Sequence, residues 1–115
     1  MSDVAKVMKE LGFLDGGRTK KMAMLRHRAL AAPVYFRLDS RAQLPLRFVV
    51  APTHDLSRLT SIKGVVVQDD YLHHSNLREF PTRRHGGKTD IHFGKQVVCA
   101  DMTALSAALH ALITH

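Results

Sequence analysis

A chain of 115 residues with a 45% apolar share can build one domain around a real core and is too apolar for wholesale disorder. Seventeen Lys/Arg against ten Asp/Glu give a net charge of +7, which favours polyanionic partners. The single cysteine excludes an internal disulfide and any Cys-rich zinc cluster, and fits a reducing compartment. No apolar run approaches the roughly eighteen residues of a membrane span, and the N-terminus lacks a signal-peptide pattern. These features predict a single cytoplasmic domain over residues 1–115, without a membrane partner.

In chain order, Ser2 or Asp3 can cap a short helix with Val4, Val7, Met8 and Leu11 on one face, ended by Gly12. Leu14-Asp-Gly-Gly17 has the chemistry of a turn. A second helix is predicted from about Thr19 to the residue before Pro33, with Met22, Leu25, Ala29 and Ala32 in a stripe roughly 80° wide. Its surroundings are the most basic of the chain, with no acid between Arg18 and Leu38.

Val34–Leu38 and Leu46–Val50 both alternate apolar and polar residues around a polar loop, which predicts a hairpin. Setting Asp39 opposite Pro45 places Val34, Phe36, Leu38, Leu46, Phe48 and Val50 on one face. A one-residue slip would bury the arginines instead. The same register sets Arg37 opposite Arg47 on the other face, beside Tyr35. Like charges so placed repel unless an acid or a bound anion lies over them.

A short helical turn through Leu59 follows, capped by Thr53 or Asp55. Val65–Val67 is consistent with a central strand closed by Gln68-Asp-Asp70. Tyr71 to Cys99 then carries four of the eight histidines and five Lys/Arg, broken by Pro81 and Gly86-Gly87. Within it, strands are expected at Ile91–Phe93 and Gln96–Cys99, joined by a tight turn at Gly94-Lys95 or continuous through a bulge there. Asp101 caps a final helix with Met102, Leu105, Ala108, Leu109 and Leu112 on its apolar face. The predicted class is α+β, with a mixed or antiparallel sheet of four to five strands packed against helices, in the order α-α-β-β-α-β-loop-β-β-α.

The basic residues suggest a small nucleic-acid-binding protein. Lys20, Lys21, Arg26 and Arg28 would hold phosphate from the second helix. Tyr35, Arg37 and Arg47 would form a sheet face able to stack and hold bases, and Arg83, Arg84 and Lys88 would reach in from the histidine-rich stretch. Histidines and aspartates abound, yet HExxH and CxxC spacings are absent, so no metal or cofactor is expected. Two further functions compete. One is an adaptor or inhibitor that binds an acidic protein or a second copy of itself through strand edges. The other is a His-dependent nuclease or phosphotransfer enzyme using Asp70, His73 or His74, and Lys88. No catalytic residue is assigned, because acid/base chemistry requires geometry before residue type. Cys99, at a strand end, is expected to be a packed thiol.

Overall fold

The computed structural model describes residues 2–18, 22–37, 46–74, 77–84 and 90–114. Val4 and Met8, one turn apart, form the buried side of helix α1 (Ser2–Glu10). Gly12, at φ 94°, ends it. Its N–H donates to the Lys9 carbonyl at 3.0 Å, and the Phe13 N–H donates to Met8 at 2.9 Å. This paired closure satisfies terminal carbonyls and drops Phe13 into the same core as Met8. At the other end of the chain, the Asp101 carboxylate accepts from the Ala104 N–H at 2.8 Å and starts helix α2 (Met102–Ile113). Leu105, Ala108, Leu109 and Leu112 are its buried face, as the spacing predicts.

The predicted second helix does not form. Residues 14–26 instead fold as strands β1 (Leu14–Arg18) and β2 (Met22–Arg26), paired antiparallel. Met22 and Ala23 are both buried, so β2 is packed on both faces, and such a strand reads as an unbroken apolar run rather than an alternation. A helix here would also set like charges one turn apart with no acid to relieve them. The Asp-Gly-Gly sequence is a bulge inside β1, not a turn between helices. Gly17 adopts φ 113° and its N–H donates to the Asp15 carboxylate at 2.8 Å.

Strands β3 (Val34–Arg37) and β4 (Leu46–Val50) pair in the predicted register, Tyr35 opposite Val49 and Phe36 opposite Phe48. Leu38 and the connecting loop, 39–45, lie outside the described residues. A single 3-10 turn, Leu59–Ser61, stands where a short helix was expected, with Leu56 and Leu59 anchoring it in the core. The sheet continues with β5 (Val65–His73), β6 (Thr82–Arg84) and β7 (Asp90–Cys99). Its antiparallel order is β1-β2-β3-β4-β7-β5, six strands rather than four or five. Strand β1, expected as a turn, and β2, expected as part of a helix, supply the difference. Short β6 pairs with the start of β7, on the edge that β4 leaves free. The backbone fixes that side, because the His92 carbonyl accepts from His74 while the next N–H, of Phe93, donates to Pro81.

Val65–Val67 therefore belongs to an edge strand, with Val66 58% exposed, and not to a central one. Nor does Gln68-Asp-Asp70 close it. The three residues form a bulge, and β5 resumes at Tyr71 opposite Lys95. The Lys95 ammonium donates to the Gln68 and Asp69 carbonyls at 3.0 and 2.6 Å and pins the bulge in place.

Both helices pack on one face of the sheet, over Val34, Phe36, Phe48, Val50, Val97 and Cys99. The opposite face is covered over part of its area by the chain that follows β5. Leu77 and Phe80 fold back onto Met22, Tyr35, Val49 and Ala51 to form a second apolar cluster. Full burial of two such side chains stabilises by about 1.5–3 kcal/mol each. Gly94 makes the seat for Phe80. It lies inside continuous β7, not in a turn, and a methyl group there would meet the Phe80 ring at 2.9 Å and the Val50 carbonyl at 2.6 Å. Gly94→Ala should therefore destabilise the protein by about 1–3 kcal/mol, because backbone on one side cannot yield. A urea-unfolding midpoint equal to that of the unsubstituted protein would contradict this packing.

Candidate nucleic-acid interface

Period-2 alternation decides which side chains reach the second face beyond the Leu77–Phe80 cover. Continuing the β3–β4 register sets Arg37 opposite Arg47, and Arg47 pairs with Val98, which pairs with Val66. One row across four strands thus reads Arg37, Arg47, Val98, Val66. Gln96, paired with Val49, stands one row along. Arg37, Arg47, Gln96 and Val98 are half-buried and Val66 is exposed, and neither helix lies on this face. Arg37 donates from Nη1 to Gln96 Oε1 at 2.7 Å, reaching across β4. Among the described residues the row contains no acid.

The predicted site residues are only partly brought together. Arg37 and Arg47 are neighbours, as the register requires. Tyr35 shares their strand face but is 3% exposed and cannot serve as a stacking platform. Its ring packs edge-on against Phe80 at 4.9 Å, and its hydroxyl accepts from the Glu79 N–H at 3.0 Å. Burial, and secondarily the Glu79 carboxylate, push its phenol above the ordinary range against the opposing Glu79 backbone hydrogen bond and the charges of Arg26 and Arg78. The side chain that looked like a base-stacking surface is the anchor of the fold-back.

Arg26 lies at the end of β2 and forms an ion pair with Glu79 at 3.3 Å, both about half exposed, so its charge is locally matched. Arg28 is exposed in the turn after β2 and is not part of a helix. Arg83 and Arg84 are backbone partners of Ile91 and Asp90 in β6. Lys20, Lys21 and Lys88 lie outside the described residues. Gln96 and Val98 were legible only as strand residues. Their place beside the arginines depends on β7 running between β4 and β5, a long-range pairing that local pattern does not encode.

Three of the described histidines, His92, His73 and His27, are engaged by the fold. His92 Nδ1 is 2.7 Å from the Phe80 carbonyl and donates to it, while the His73 ring stacks on Phe93 at 5.9 Å. His27 accepts at Nδ1 from the Ala29 N–H at 3.0 Å, which leaves Nε2–H to donate to the Leu11 carbonyl at 2.8 Å. Among the described residues no group of three or more His, Cys, Asp or Glu side chains is placed to hold a metal. A cleft of about 320 Å³ lies between residues 54–59 and the end of α2. There Ser57 gives its backbone N–H and hydroxyl to Asp55, holding that carboxylate below its usual range, and Arg58 donates to the Thr114 carbonyl. These contacts close a turn and cap a helix.

No protein-family model matches the chain, and neither the curated proteins nor the solved structures contain a match. Among the described residues no helix is long and apolar enough to cross a membrane.

Cys99 is fully buried, and burial, with the nearby Asp101 carboxylate, pushes its thiol up from 9.0 to about 12. A group with a raised folded pKa contributes stability below its unfolded pKa, and that contribution is lost between about pH 9 and about 12 as the unfolded chain ionises first. At pH 8 the native thiol should react with a disulfide reagent only as fast as the protein opens, far more slowly than in denaturant. Equal rates in both conditions would contradict this burial.

Proposed function

We propose that this protein binds nucleic acid through phosphate contacts on the uncovered part of its sheet. The observation that carries the reading is the adjacency of Arg37 and Arg47 on a face that no helix covers, in a chain of net charge +7. Two guanidinium groups side by side repel one another unless an anion lies between them, and phosphate is the anion that arginine geometry fits best. With Tyr35 buried, recognition rests on backbone phosphates rather than on stacked bases, so affinity should depend strongly on salt and weakly on sequence. Lys20, Lys21, Arg28, Arg83, Arg84 and Lys88 are proposed as further phosphate contacts on the charge of the sequence alone. No catalytic role is assigned to any of them. Exposed Val66, beside Val98 at the end of the same row, favours a second reading in which an acidic protein or a second copy of the chain docks there.

Salt titration of binding to labelled single-stranded DNA, duplex DNA and RNA tests the proposal. Log affinity should fall linearly with log salt, and Arg37→Ala/Arg47→Ala should weaken binding to every sequence alike and reduce the slope by about 1–2. Absence of binding to all three at about 50 mM salt would sink the reading. Capture of one acidic protein by the same surface would favour the second.

A further inference from the structure

We infer that two copies of this chain pair along the outer edge of β5, antiparallel about a two-fold axis at Val66. This pairing rests on the alternative reading, in which a second copy docks beside Val66, and requires no nucleic acid. Strand β5 ends the sheet, and among the described residues its one strand partner is β7. The Ala100 N–H donates to the Gly64 carbonyl at 2.8 Å, which makes Val65 and Cys99 a non-hydrogen-bonded pair. Val66 and Val98, the next pair, are then hydrogen-bonded, so Val66 turns its backbone polar groups inward. Val65 and Val67 turn theirs outward. The Val65 N–H is closed back onto the Ile62 carbonyl at 3.2 Å. The Val65 carbonyl and the Val67 N–H and carbonyl are left facing the edge, where they form a template for another strand.

The flanking charges decide which strand fits. Gly64, at φ 83°, bounds the regular run on one side, and the Gln68-Asp-Asp70 bulge, pinned by Lys95, bounds it on the other. Just outside the run stand two exposed and opposite charges, Lys63 before it and Asp69 after it. A two-fold axis at Val66 sets Val66 against Val66, Val65 against Val67 and Lys63 against Asp69. Each Val67 N–H then donates to the Val65 carbonyl of the other copy. Val65 and Val67 already edge the main core, so their contact extends apolar burial on the helix side. Moving the axis to Val67 would set Val65 against Asp69, and moving it to Val65 would set Val67 against Lys63. Parallel pairing would bring like charges together. The other sheet edge, β1, is broken by its own bulge within five residues and has no such run. On the second face the two arginine rows become one, with Arg47 of each copy five strand spacings, about 24 Å, from Arg47 of the other.

Sedimentation of the protein alone, from about 10 to about 1,000 μM, tests this, because so short an interface falls in the weak class below about 1,200 Å². Mass should rise from monomer to dimer with concentration and stop there, as a closed two-fold requires. A monomer throughout, or growth beyond the dimer, would overturn the inference. Val67→Pro removes the outward N–H without touching the β7 ladder and should keep the protein monomeric, whereas a persisting dimer would count against this edge. Lys63→Glu and Asp69→Lys should each weaken dimerisation by about threefold or more, and the two together should restore it, which lost packing would not do. Weakening without restoration would sink the register. Should Val67→Pro fail to fold, amide exchange in the unsubstituted protein decides. Exchange of the Val67 N–H must slow as concentration rises, and a rate independent of concentration contradicts the pairing. Oligonucleotide binding by a protein that stays monomeric would overturn this inference alone. Dimerisation without oligonucleotide binding would support it and overturn the nucleic-acid reading alone.

Discussion

The packing of the Phe80 ring over Gly94 is the constraint on which the rest of the arrangement depends. Both helices lie on one face of the sheet, so the other face must be covered by something or be polar. The chain supplies its own partial cover by folding residues 77–81 back after β5. Only a position without a side chain lets Phe80 reach the backbone of β7. Three contacts then hold the segment, namely the Tyr35 ring and hydroxyl, the His92 hydrogen bond to the Phe80 carbonyl, and the Arg26–Glu79 pair. The exposed ion pair is worth at most a fraction of what the buried rings contribute. Apolar burial decides the fold-back and the polar contacts fix its angle.

Partial cover has a functional consequence. Where Leu77 and Phe80 sit, the face is dry and Tyr35 is lost as a contact residue. Past their edge the same face turns to arginine, glutamine and valine. The basic character noted in the composition is thus not spread evenly over the molecule's useful surface. Arg26 is matched by Glu79, and Lys95 is spent on the bulge carbonyls and the Tyr71 ring, 5.0 Å away. Arg47 and Arg37 stand side by side on this face, which is why they carry the proposal.

Much of this was legible in the sequence wherever one local rule sufficed. Gly12 ends α1, Asp101 begins α2, and the β3–β4 register follows from keeping the arginines out of the core. Residues 22–26 were misread as helix because a doubly buried strand loses the alternation that marks strands, and its residues also satisfy a helical stripe. Residues 14–17 were read as a turn because their Asp-Gly-Gly bulge has turn chemistry. At Gly94 the sequence leaves a turn and a continuous bulged strand open, and β7 is continuous, with the bulge in its partner strand β5. A glycine before lysine looks like a turn, and nothing nearby in sequence says that a phenylalanine fourteen residues earlier needs the space. For the site, sequence placed Arg37 against Arg47 but put Tyr35 on the surface. Its burial depends on Leu77 and Phe80 returning to the sheet, a contact between distant segments that composition and periodicity do not carry.

The most direct test of the account is to map nucleic-acid contacts onto the sheet by backbone amide chemical shifts during titration with a single-stranded oligonucleotide. The largest changes should fall at Arg37, Arg47, Gln96, Val98 and Val66, with little change along the buried face of α2. Changes confined to the cleft at residues 54–58 and the end of α2, with the arginine row silent, would contradict it.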